Sequence, residues 1–213
     1  MKIRLAAAAL AAAFPAHAAT IETSAGNGGS GRFDYDRFIT VTGDIVAGDS
    51  ARLEKALQGS HHATVSLISN GGLAIEGVEM GRAIVSSGAK TYVDKDETCA
   101  SACAFAWLAG NPRIAGLHAQ ILFHHVTDPR NDRDSEDQGN AVIGGYLGSL
   151  GINAEAIAFM TEKGPDDVNQ LTPVVAAAYG IQVFFDKREG AVRMRHAAGA
   201  NPPRRQPIRP PRR

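Results

Sequence analysis

The sequence predicts an α/β protein built on a parallel sheet, and two observations predict it. Short apolar strands alternate with stretches whose apolar residues recur at helical spacing, over most of the chain. Two strands also run into a turn of small residues that opens the next helix, at Asn70-Gly71-Gly72 and Ala100-Ser101-Ala102. Repeated strand-turn-helix units are the pattern of parallel strands joined by helical crossovers. The formal net charge is zero, so no global field argues for a nucleic-acid partner.

Taken in order, residues 1–18 read as a secretory signal peptide cleaved after Ala18. Lys2 and Arg4 precede an apolar run over residues 5–14, and Ala16-His17-Ala18 is a small-x-small cleavage site. The run is shorter than the ~20 residues of a spanning helix, and no later segment supplies one. A soluble, periplasmic or secreted mature chain without a transmembrane segment is expected. Residues 19–36, rich in Gly and Ser, are expected to be a flexible lead-in, and residues 37–186 the folded domain.

The first strand is predicted over 38–45, with Ile39, Val41 and Ile45 on one face and a bend at Gly43-Asp44. Asp49 or Ser50 then caps a helix carrying Leu53, Ala56 and Leu57. Strand 65–68 leads through Gly71-Gly72 to a helix presenting Val78, Gly81, Ile84 and Val85, which Gly88 ends. Strand 90–93 runs toward the Ser101 turn, after which Ala102, Phe105, Ala106 and Leu108 repeat at helical spacing. Strand 119–123 ends in His124-His125. Residues 127–140 are dense in Asp, Arg, Asn and Glu and predict an exposed, mobile loop. Helices are predicted over 141–150, 154–163 and 173–179, the last with Thr172 as N-cap and Pro173 at N1. Residues 187–213 end in an Arg- and Pro-rich run without acidic residues that cannot form a core, and disorder is expected there.

Ser101 is the candidate nucleophile. It sits among small residues at the mouth of a helix, where free N–H groups and the helix dipole favour the negative charge of an acyl-transfer intermediate; an ordinary N-cap uses the same residue type. A glycine pair lets a backbone N–H point outward with no Cβ in the way, which makes the Gly71 N–H a candidate oxyanion donor. Adjacent side chains on a strand face opposite ways, so only one of His124 and His125 can face Ser101. Cys99 and Cys103 are the only cysteines; in an exported chain they form either a disulfide or two buried thiols. With no second cysteine pair, and with His61/His62 and His124/His125 that do not converge, no four-ligand metal set is present. No metal or cofactor is expected, and no G-x-x-x-x-G-K-[ST] phosphate loop occurs.

Three pieces in this order, a strand running into Gly71-Gly72, the Ala100-Ser101-Ala102 turn opening a helix, and Arg113 followed by a strand ending in His124, resemble the proteolytic subunit of the Clp protease and its relatives, the Clp/crotonase superfamily. The resemblance spans about residues 38–180. It implies a spiral superhelix of repeated strand-strand-helix units, with Ser101 as nucleophile, His124 as general base, and the Gly71 and Ala102 N–H groups as the oxyanion hole. The family's acid falls at Val168, next to Asp167, which is the nearest carboxylate and is expected to orient His124. The implied function is an exported serine hydrolase, a peptidase acting on peptides or proteins, assembled as a homo-oligomer. The same resemblance admits a catalytically silent binding or assembly module in the periplasm. A crotonase-type acyl-CoA enzyme would use the same oxyanion hole, but its chemistry is cytoplasmic and the signal peptide argues against it.

Overall fold

The computed structural model describes residues 18–26, 34–128 and 132–186. The expected signal peptide up to His17, residues 27–33 of the lead-in and the basic tail from residue 187 lie outside the described residues. The rest forms an α/β fold with two sheets. The larger has the order β1-β2-β3-β4-β6-β9, from Thr20–Ala25, Arg37–Thr42, Ala63–Ile68, Lys90–Val93, Arg113–Ala115 and Phe184–Phe185. Within this sheet β1 is antiparallel to β2, while β2, β3, β4, β6 and β9 are parallel. The smaller sheet is β5-β7-β8, from Thr98–Ala100, Gln120–Phe123 and Asn169–Gln170. It is joined to the end of β3 by a bridge between Ser69 and Cys99.

Among the described residues six helices complete the fold: α1 (Asp49–Leu57), α2 (Ala74–Ser87), α3 (Ala102–Trp107), α4 (Arg133–Ser149), α5 (Ala154–Thr161) and α6 (Pro173–Ala178). Helix α2 lies between α1 and α3 and also touches α4. Its own sequence shows why: Val78, Met80 and Ile84 are fully buried, and Gly77 and Gly81 admit close neighbours. A Cβ on Gly77 would stand 2.3 Å from the Ala102 carbonyl oxygen, and one on Gly81 would collide with the Tyr146 ring. Helix α3 is buried along its whole length, and Trp107 at its end donates its indole N–H to the Ile114 carbonyl at 3.1 Å.

Three expectations are corrected. Residues 20–25 are not a flexible lead-in but the edge strand β1, paired from Thr20 opposite Thr42 to Ala25 opposite Arg37. Its side chains are mostly exposed, so it lacks the apolar alternation of a half-buried strand. It is held by its backbone ladder, by the buried Ala19, and by the Arg52 guanidinium on the Ala19 carbonyl at 2.7 Å.

Second, the first core strand ends at Thr42, because Gly43 turns the chain at φ 101; Ile45 then bridges separately to Gly72. Neither Asp49 nor Ser50 is the N-cap of α1. Gly48 occupies that position without a side chain, and the Glu76 carboxylate of α2 accepts the Gly48 and Ser50 N–H groups at 3.1 and 2.9 Å. Asp49 folds back to accept the Val46 N–H at 2.9 Å and pairs with Arg52.

Third, the polar stretch before residue 141 is not a loop throughout. From Arg133 it is the first half of a 17-residue α4, capped by Asp132 and carrying Asp134 and Glu136 in its first turn, where the helix dipole favours them. By contrast α2 ends at Gly88 in the left-handed conformation, β4 covers Lys90–Val93 and Thr172 caps α6, all as the sequence indicates. Among the described residues no helix is long and apolar enough to cross a membrane.

Candidate active site

Ser101 stands between β5 and α3 at φ 55 and ψ −123. L-residues with a Cβ avoid this region, at a cost of about 1–3 kcal/mol, so the turn persists only because its surroundings hold it. The Ser101 N–H donates to the Leu122 carbonyl at 2.9 Å, and the Ser101 carbonyl accepts the Phe105 N–H at 3.1 Å. Ser101 therefore occupies the N-cap position of α3, but its hydroxyl makes no capping bond. At 9% exposure it lies just beneath the surface. Ala102 follows at N1, where an N–H has no intrahelical acceptor.

The glycine pair is packed directly against this turn. Ser69 extends β3 onto β5: its N–H donates to the Thr98 carbonyl at 3.0 Å and its carbonyl accepts the Ala100 N–H at 2.9 Å. The chain then reverses at Gly71, φ 110. A Cβ on Gly71 would stand 2.7 Å from the Ser101 Cβ and 2.9 Å from the Ala100 carbonyl oxygen, so only glycine fits. The Gly71 N–H, however, donates to the Ser69 hydroxyl at 3.0 Å, and it is not a free oxyanion donor in this conformation. The next N–H along is a better candidate. Ile45 donates to the Gly71 carbonyl at 2.8 Å and accepts from the Leu73 N–H at 2.9 Å; the alternation of a parallel bridge turns the Gly72 N–H to the opposite edge, where it meets no acceptor among the described residues.

His124 leaves β7 beside the strand that carries Ser101. The two strands are parallel, with Ala100 opposite Leu122, so nucleophile and base candidates emerge from the same end of neighbouring strands. The His124 Nδ1 lies 2.6 Å from the His125 carbonyl oxygen. A carbonyl only accepts, so Nδ1 carries a proton, and in the neutral imidazole this leaves the lone pair on Nε2, as a general base requires. No hydrogen bond joins Ser101 to His124 in this conformation. Asp167 does not meet His124 either: its carboxylate, 73% exposed, accepts from the Lys163 ammonium at 2.5 Å. That bond raises the Lys163 pKa.

No family model and no curated protein matches the sequence. Solved structures do. ClpP1 from Listeria monocytogenes aligns at a TM-score of 0.56 with 19% identity, over 72% of this chain and 93% of that one. A point mutant of the same protein aligns at 0.55 with 18% identity over the same shares. A mutant of the 1510-N membrane-bound stomatin-specific protease aligns at 0.50 with 16% identity, over 70% and 78%. The chain has the ClpP fold.

Within this ClpP fold the remaining predicted residues have separate duties. Arg113, at the start of β6, donates from Nε to the Leu108 carbonyl at the far end of α3, where a cation complements the helix dipole. Burial lowers its pKa, with Tyr146 acting in the opposite direction. Cys99 and Cys103 are joined in a disulfide, Cα to Cα 5.2 Å, that spans the Ser101 turn from β5 to the first turn of α3. Among the described residues no group of His, Cys, Asp or Glu forms a metal site. Two features escaped sequence reasoning. The tandem glycines signal a donor but do not say which of the two N–H groups is free, and a backbone carbonyl that orients a histidine leaves no residue-type signal at all.

Proposed function

We propose that the protein is a serine hydrolase acting on peptide bonds, with Ser101 as nucleophile and His124 as general base. The observation that carries this reading is the Ser101 turn: a strained serine whose hydroxyl makes no capping bond, clamped between Gly71 and the N-terminus of α3, beside the strand that delivers His124. In the reaction, Nε2 of His124 takes the hydroxyl proton as Oγ attacks the substrate carbonyl carbon. The oxyanion is held by the Ala102 N–H and by an N–H of the glycine turn, that of Gly72, or that of Gly71 once released from Ser69. Collapse expels the amine, which takes the proton from Nε2; water then repeats the cycle on the acyl-enzyme. The His125 carbonyl does the orienting work expected of Asp167. A peptide substrate is supported by the fold neighbours, a ClpP1 and a stomatin-specific protease. Export to the periplasm, cleavage after Ala18 and homo-oligomeric assembly belong to the same proposal and rest on the sequence and the resemblance.

The test is labelling with a fluorophosphonate. Wild type should be modified at Ser101, and both Ser101→Ala and His124→Ala should abolish it, because an unassisted serine is a weak nucleophile. A silent binding module is the second reading, favoured because among the described residues His124 is met by the His125 carbonyl and by no carboxylate. No labelling of wild type, or labelling unchanged in His124→Ala, would select it.

A further inference from the structure

Past β7 the chain that carries His124 is gripped by α4. Glu136 Oε1 accepts the Asp128 N–H at 3.0 Å. Gly139 lets the Val126 side chain close against the helix, since a Cβ there would stand 2.8 Å from Val126 Cγ1. One residue on, Asn140 Oδ1 accepts the Val126 N–H at 2.8 Å. The Asn140 amide cannot be turned over without loss, because its Nδ2 donates to the Glu136 carbonyl at 2.9 Å and to the Val126 carbonyl at 3.4 Å.

The peptide unit between His125 and Val126 is thus bonded at both ends. Its N–H is held by Asn140, and its carbonyl receives the His124 Nδ1 proton at 2.6 Å. Hydrogen bonds in series through one amide polarise one another, so the Asn140 contact strengthens the carbonyl as an acceptor while fixing its direction. We propose that Asn140 is a positioning residue for His124, acting through this peptide to keep the proton on Nδ1 and Nε2 free. This rests on His124 being the general base. In this arrangement a side chain on α4 and one backbone carbonyl together replace the orienting carboxylate, which explains how Asp167 can stay with Lys163.

The test combines imidazole nitrogen NMR with labelling kinetics on the full-length protein. The His124 signals are assigned by their loss in His124→Gln. Wild type should show His124 as the Nδ1–H tautomer. Asn140→Ala should shift it to a mixture and lower the maximal rate of fluorophosphonate labelling ~10- to 100-fold, by analogy with the loss of an outer-shell partner of a metal-bound histidine, with the half-saturating concentration unchanged. Asn140→Asp keeps the Oδ1 acceptor and should retain the tautomer, so it decides the matter if the alanine variant does not fold. Asp132→Ala, which removes the side-chain cap of α4 without touching the Val126 N–H, should leave His124 as it is. A wild-type tautomer in Asn140→Ala, its loss in Asn140→Asp, or an equal response in Asp132→Ala would overturn the proposal. A tautomer response in a protein that never labels would remove the hydrolase reading and keep the positioning role, so the two failures are distinguishable.

Discussion

Substituting Gly71 by alanine tests whether the glycine turn and the Ser101 turn touch as described. The new methyl meets two costs. At φ 110 a residue with a Cβ is strained by about 1–3 kcal/mol. The methyl would also stand 2.7 Å from the Ser101 Cβ and 2.9 Å from the Ala100 carbonyl oxygen. The second neighbour is backbone and cannot swing aside, so an overpacking cost of about 1–3 kcal/mol applies. Alanine recovers about 0.4–1 kcal/mol by restricting the unfolded chain, leaving a net loss of about 2–5 kcal/mol. At about 2–4 °C per kcal/mol for a domain of this size, a loss near ~3 kcal/mol lowers Tm by roughly 6–12 °C. Gly59→Ala is the control: its φ is 74, yet nothing lies within 4 Å of its Cβ position, so only the strain is felt and the loss should be about 1–2 kcal/mol. Urea unfolding of both variants, compared at equal m-values, reads the difference directly. Because the methyl presses on Ser101 itself, fluorophosphonate labelling should be lost in Gly71→Ala and kept in Gly59→Ala. Equal stabilities, or normal labelling of a folded Gly71→Ala, would refute the close approach of the two turns and the site built on it.

Protein denatured without reductant should show no thiols, and Cys99→Ala with Cys103→Ala should cost about 2 kcal/mol from the loop entropy of so short a ring; two titratable thiols in the oxidised protein would end that expectation. Asp167→Asn and Asp166→Asn should both leave labelling unchanged, since the Asp167 carboxylate is engaged by Lys163 in solvent and not by His124; a selective loss in Asp167→Asn would show that the segment moves to complete a triad. Burial pushes the Glu76 carboxyl up, but the Ser50 and Gly48 hydrogen bonds outweigh it and hold the pKa below the ordinary 4.5. A depressed carboxyl stabilises the fold above its unfolded value and ceases to do so as pH falls through its folded value. Glu76→Gln should therefore be less stable than wild type at pH 7, with the difference shrinking below pH 4.5; a difference that does not change with pH would show that the charge on Glu76 is irrelevant to capping α1.

The elements with strong local signals were legible in the sequence. Strand Lys90–Val93, the Gly88 end of α2, the Thr172-Pro173 start of α6 and the Ser101 turn are all written in residue type and periodicity, because they depend on which conformations a few neighbouring residues allow. The same locality explains the misses. Strand β1 is an exposed edge whose stability comes from its ladder with β2, and the first half of α4 meets residues 126–128 through hydrogen bonds at Glu136 and Asn140 and a glycine, Gly139, against Val126. Neither leaves a hydrophobic pattern to read.

At the candidate site the sequence by itself determined the residue types and their order: a glycine pair, a serine at a strand-to-helix turn, and a histidine at a strand end. Tertiary structure decided which groups these residues meet. It put Gly71 against the Ser101 Cβ, the Leu122 carbonyl on the Ser101 N–H and the Asn140 side chain on the Val126 N–H. A hydrogen bond is made or lost within a few tenths of an ångström, and the distance between segments tens of residues apart is set by how the helices and sheets between them pack.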